Sequence, residues 1–151
     1  MILKLTDIDK KLLPPKKQLQ SFGERLVNVE NFEVDGFDVY EYTKDFLIRR
    51  GIESPKIMHP MVAEFSNVDM HIDNLSPIRF GTLVLMLTGE GSLIYTVRSK
   101  IKDNFECKTV VVKKDYGVVF DFHLPHQFKC HGENCVAILA DVERCQLEQL
   151  S

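Results

Sequence analysis

The chain has 151 residues, of which 44% are hydrophobic and 27% charged, and its formal net charge is -3. These proportions describe one ordinary globular domain able to bury a real core, and they exclude a disordered or fibrous chain. The slightly acidic balance gives no drive toward duplex nucleic acid or an anionic membrane, and no apolar run approaches membrane-spanning length.

In chain order, residues 1–56 read as a mixed, partly helical support region. "LPPKK" marks a break near residue 14, and Lys10, Lys11, Lys16 and Lys17 read as a solvated face. The stretch "VDGFDVYEYTKDFLIRRGI" predicts the main helix. Asp38 can cap it, Phe37, Tyr40, Phe46 and Leu47 supply rough helical spacing, and Arg49, Arg50 and Gly51 form a stop signal.

From residue 57 the texture changes to short β-rich runs. "KIMHPMVAEFS", "VDMHIDN", "RFGTLVLMLT", "SLIYTVRSK", "FECKTVVVKK", "GVVFDFHL" and "NCVAILADV" each read as strands. His59, before Pro60, reads as a loop or strand-end residue. "GEG" reads as a hairpin turn, because no helix follows it to form a phosphate site. The expectation is a mainly β protein: an antiparallel sandwich or barrel over residues 57–142, with the N-terminal part packed on it. Residues 1–151 then form a single domain.

Four cysteines, Cys107, Cys130, Cys135 and Cys145, could form two disulfides. "MILKLTDIDKK" has no apolar segment of a signal peptide, so free thiols in a reducing cytoplasm are expected instead. "CHGENC" could be half a zinc site, but the cysteine spacing closes no tetrahedral motif.

The chemistry concentrates in "DMHIDNL" and "DFHLPHQF". Alternation on a strand would place His71 and Asp73 on one face. The bland reading is a polar strand end with Asp73-Asn74 starting a turn. The sharper one is two ligands of a metal. A later histidine would complete the two-histidine, one-carboxylate facial triad of non-haem Fe(II) oxygenases.

The order of "MHIDNLSPIRFGTLVLMLTGEGSLIYTV" and "VVVKKDYGVVFDFHLPHQF" resembles the core of the 2-oxoglutarate- and Fe(II)-dependent oxygenases, in their prolyl-hydroxylase-like branch. The resemblance covers residues 57–142. It implies a double-stranded β-helix, a jelly-roll or cupin-like barrel, with His71, Asp73 and His126 holding Fe(II). It also implies 2-oxoglutarate as co-substrate and a hydroxylation reaction. His123 is the alternative distal ligand or a partner to it.

One departure bears on the co-substrate. Asn134 and Cys135 stand where that family usually has the basic residue for the far carboxylate of 2-oxoglutarate. Arg98, Arg79 and Lys129 are the candidates left.

Two other readings stay open. The segment "DYGVVFDFHLPHQF" also resembles the second motif of cupin barrels, but Thr82 stands where the first motif would have a glutamate. That leaves a cupin-like barrel with an incomplete metal site. The other is a non-catalytic binding or structural module. The substrate, a protein side chain or a small molecule, is open, and edge strands allow a homodimer.

Overall fold

The computed structural model describes residues 2–14, 30–32, 36–73, 76–98, 104–132 and 134–150. Its organising element is the apolar run Phe80–Thr88 (β5). Leu83, Leu85 and Leu87 are buried in one core cluster, and Val84 and Met86 in a second. Alternate side chains of one strand thus feed two cores, which is why this run carries no polar face.

Seven further strands complete the barrel. They are Ile57–Phe65 (β3), Asn67–His71 (β4), Glu90–Arg98 (β6), Phe105–Lys113 (β7), Tyr116–Phe120 (β8), His126–Cys130 (β9) and Cys135–Glu143 (β10). Two N-terminal strands, Ile2–Lys4 (β1) and Glu30–Phe32 (β2), extend one sheet at its two edges. The sheets run β1-β8-β5-β10-β3-β2 and β4-β9-β6-β7, with every pairing antiparallel. From β3 onward the chain crosses repeatedly between the sheets, which is the double-stranded β-helix, or jelly-roll, topology. The expected mainly β fold is therefore present.

The first core lies between the larger sheet and a helical layer. Val39–Ile48 (α2) follows the five-residue helix Asp7–Lys11 (α1), and Arg144–Leu147 (α3) closes the chain. Asp38 caps α2 by accepting from Glu41 N–H at 3.1 Å. Gly51 adopts φ +92°, which lets Ile52 N–H return to the Leu47 carbonyl at 3.1 Å and end the helix. Both signals were legible in the sequence. The buried face is Tyr42, Thr43, Phe46 and Leu47, whereas Tyr40 is 41% exposed. Burying Phe46 and Leu47 contributes about 1.5–3 kcal/mol each.

Several local expectations are corrected. The segment around "GEG" is no hairpin, because β5 pairs with β8 and β10, while β6 pairs with β7 and β9. Gly89, at φ +83°, instead turns the chain from one sheet to the other. His59 lies inside β3, at φ +51°, where the β3–β10 register shifts. The strand expected in "GVVFDFHL" ends at Phe120, and β9 is a strand that the apolar pattern does not predict. Its inward residues include His126, so its alternation does not look apolar. Lys10 and Lys11 are exposed as expected; Lys16 and Lys17 lie outside the described residues.

The N-terminal segment is fastened by charge. Thr6 and Asp9 form a reciprocal capping box on α1. Asp9, fully buried, also receives Arg49 and Arg50, each at 2.7 Å. Burial raises the Asp9 pKa, but the hydrogen bonds from Arg50, the Thr6 N–H and Arg49 outweigh it. The carboxyl stays well below the usual range.

Candidate metal centre

β4 and β9 are neighbours in the smaller sheet, and His71 lies directly opposite His126. The register shifts between Val68 and His71: three steps along β4 match two along β9, from Phe128 to His126. This bulge re-aims the end of β4. Val68 and His71 both line the barrel cavity, while Met70 is 45% exposed.

Asp73 lies beyond the end of β4, so strand alternation does not bring it to His71. Its position comes from a loop contact, Asp73 N–H donating to the Phe122 carbonyl at 3.0 Å. Asp73 Oδ2 then sits 3.5 Å from His71 Nε2 and 3.4 Å from His126 Nε2. One ligand atom from each of the three residues lies within 4.8 Å of the others.

The tautomers matter most. His71 Nδ1 lies 2.7 Å from the Asp69 carbonyl, and His126 Nδ1 lies 2.8 Å from the Leu124 carbonyl. A carbonyl only accepts, so each Nδ1 must carry its proton. A neutral ring then presents a bare Nε2 lone pair to Asp73. Two lone pairs and a carboxylate facing one another need a proton or a cation between them. The donor set of two imidazoles and one carboxylate suits a divalent transition metal, and the backbone carbonyls supply the outer partners that fix ligand orientation. A proton added at His126 Nε2 would be donated to Asp73, and that hydrogen bond is the first cause lowering the Asp73 pKa, against the opposing effect of burial.

Further contacts steady the loop that delivers His126. Thr96 Oγ1 donates to the Pro125 carbonyl at 2.7 Å. Arg144 holds Asp121 at 3.2 Å, and Asp121 accepts from His123 N–H at 3.0 Å. The Phe120 ring packs on His126 with centroids 4.9 Å apart. Sequence reasoning missed Thr96, Asp121 and Arg144, because their partners are brought near only by the fold.

The site opens into a cavity of about 110 Å³ walled largely by apolar side chains, among them Phe65, Leu93, Phe120 and Phe128. Thr82, at the position a cupin would fill with glutamate, lines the same cavity as a hydroxyl. His123 is not in the cluster; its Nε2 lies 3.1 Å from the Pro77 carbonyl. None of the three basic candidates for 2-oxoglutarate is among the described lining residues. Arg98 lies over the Phe105 ring and Arg79 over the Phe80 ring, while Lys129 is exposed on β9, which sends His126 and Phe128 inward. No metal-binding cluster forms at "CHGENC" among the described residues.

No protein family signature matches the chain, and no curated protein matches it either. Solved structures share parts of it. Hazelnut (Corylus avellana) vicilin aligns at 11% identity over 55% of this chain and 23% of its own, with a TM-score of 0.47. YcfD, a ribosomal oxygenase from Escherichia coli, aligns at 15% identity over 58% and 23%, with a TM-score of 0.44. Fe(II)-HppE aligns at 17% identity over 54% and 40%, with a TM-score of 0.36. The chain therefore spans less than half the length of each of these proteins. These likenesses are too distant to assign a function, and the fold assignment rests on the strand order. Among the described residues, no helix is long and apolar enough to cross a membrane.

Proposed function

We propose that this chain is an Fe(II)-dependent oxygenase, with His71, Asp73 and His126 as the iron ligands. One observation carries the reading: both Nδ1 protons are committed to backbone carbonyls, so two Nε2 lone pairs and a carboxylate converge at an apolar cavity. When bound there, Fe(II) supplies the capacity to activate O₂. The chain's own residues do the rest. Asp69 and Leu124 hold the imidazole protons on Nδ1, and Thr96 fixes the turn before His126. Phe120 and the apolar wall line the cavity beside His126.

2-Oxoglutarate as co-substrate and hydroxylation as the reaction are the finer reading. It rests on the sequence resemblance, and it requires a cation for the distal carboxylate that the described cavity wall does not supply. That wall favours a second reading, a metal-binding cupin-like barrel that does not use 2-oxoglutarate. A non-catalytic module is the reading left if no metal is held. The cavity size favours a small molecule or a single protein side chain as substrate. A cytoplasmic setting would keep the iron ferrous. Pairing of two copies through β7, an edge strand with Phe105 and Val111 exposed, is a further proposal.

Anaerobic titration with Fe(II), followed by O₂ with and without 2-oxoglutarate, tests these readings. One iron per chain, lost in His71→Ala and Asp73→Ala, is the expected result. Succinate formation would establish the 2-oxoglutarate branch. Iron binding with O₂ uptake but no succinate would establish an oxygenase of another kind, and iron binding with neither the cupin-like barrel. Absence of iron binding would sink the metal reading altogether.

A further inference from the structure

At the end of the barrel away from the metal centre, Cys130 ends β9 and Cys135 begins β10, where the chain passes from one sheet to the other. Their Sγ atoms stand 3.0 Å apart. A disulfide bond is about 2.05 Å long, so the sulfurs are about 1 Å from bonding distance. Cys130 is half-buried and Cys135 fully buried, while Cys107 and Cys145 are exposed on other elements. Cys130 Sγ also lies 3.3 Å from the Phe65 carbonyl, and Cys135 Sγ 3.4 Å from that of Glu90.

We propose that Cys130 and Cys135 are a redox-active dithiol, which a peroxide oxidises to an intramolecular disulfide joining β9 to β10. Cys130, the more accessible, attacks one peroxide oxygen as the thiolate. The O–O bond breaks, Cys130 becomes a sulfenic acid, and hydroxide leaves. The Cys135 sulfur then attacks the Cys130 sulfur; the S–O bond breaks and that oxygen departs as water with the Cys135 proton. Two thiols lose two electrons, and the peroxide is reduced to two waters.

The division of roles follows from the pair itself. Cys130 donates to Cys135 in the neutral pair; once Cys130 is the thiolate, Cys135 donates back, which lowers the Cys130 pKa, while the same contact and burial push the Cys135 thiol up. Gly89 leaves the pair its room: a Cβ there would lie 3.0 Å from Cys135 Sγ. The loop closed is short, so chain entropy stabilises the disulfide less than it would a longer loop. The bridge also meets the cavity floor. Phe65, whose carbonyl contacts Cys130, packs edge-on against Phe128 at 4.9 Å, and both rings line the cavity.

The test treats the purified full chain with hydrogen peroxide, alkylates it with iodoacetamide and cleaves it with trypsin. Cleavage after Lys129 and Arg144 releases peptide 130–144, which holds both thiols and neither Cys107 nor Cys145. The expected peptide has lost two hydrogens and takes no alkyl group until dithiothreitol is added. Cys130→Ser should abolish that loss, and the Cys107→Ser/Cys145→Ser double variant should retain it. The proposal is overturned if both thiols of peptide 130–144 stay open to alkylation while other sites oxidise. A Cys130 sulfinic acid as the main product, or crosslinks only through Cys107 or Cys145, would overturn it equally. The wild-type measurement decides the matter even if a variant fails to fold.

Discussion

Asp9 and Asp73 each lie between two nitrogen-bearing side chains. Asp9 is fully buried, and its partners are permanently charged guanidinium groups 2.7 Å away, joined by the Thr6 N–H. Asp73 has a side chain 44% exposed, and its partners are imidazoles 3.4 and 3.5 Å away whose Nδ1 protons point elsewhere. The first carboxylate is satisfied by the fold alone. The second is left with lone pairs facing lone pairs until a proton or a cation arrives. Electrostatic completeness thus separates a structural clamp from a binding site, although both are one aspartate and two basic residues.

The largest expected effect is on metal retention. Asp73→Ala should lower metal affinity by more than the roughly 10–100-fold that changes to outer partners of a metal site cost. Competition with a chromophoric chelator measures it. Without metal, the same variant should unfold in urea within about 0.5 kcal/mol of the parent, as exposed substitutions do. If Asp73→Ala unfolds the metal-free chain instead, the contrast with Asp9 collapses.

Asp9→Ala should do the reverse. Removing one partner of a buried ion pair costs about 3 kcal/mol. The loss should appear as a lower urea midpoint, with metal stoichiometry unchanged in the folded fraction.

The pH dependence of stability sharpens the same point. Asp9 has a folded-state pKa below its unfolded value of about 4, so its contribution is complete above about pH 4. It fades as pH falls toward the folded value. Acid unfolding of the parent below about pH 4 should therefore flatten in Asp9→Ala, followed by circular dichroism. The smallest effect is at Thr6: Thr6→Ala removes one side of the capping box and should cost about 1 kcal/mol.

Much of the barrel was legible because its strands are short, apolar and separated by turns. The α2 boundaries were legible because Asp38 and Gly51 are local signals. Of the site, His71 and Asp73 stood out by spacing, but the reason they meet is different: Asp73 is placed by the Phe122 carbonyl rather than by a pleat. His126 became visible only through its place in a longer pattern. The Asp9 clamp left no mark in the sequence, and "CHGENC" pointed to half a zinc site rather than to a facing pair of thiols. The clamp spans 40 residues or more, a distance set by tertiary packing. The cysteine pair, five residues apart, depends on two strands in different sheets.

The bulge in β4 has a thermodynamic side. In an unbroken ladder from Val68, the residue opposite His126 would be Met70, and His71 would turn to solvent. The same chain can therefore be written in two registers, one offering a thioether to the cavity and the other an imidazole. A metal ion held by His71, Asp73 and His126, as proposed, would bind only the second, so its affinity would be linked to the bulge and each would strengthen the other. Hydrogen exchange at residues 68–71 should slow on adding metal.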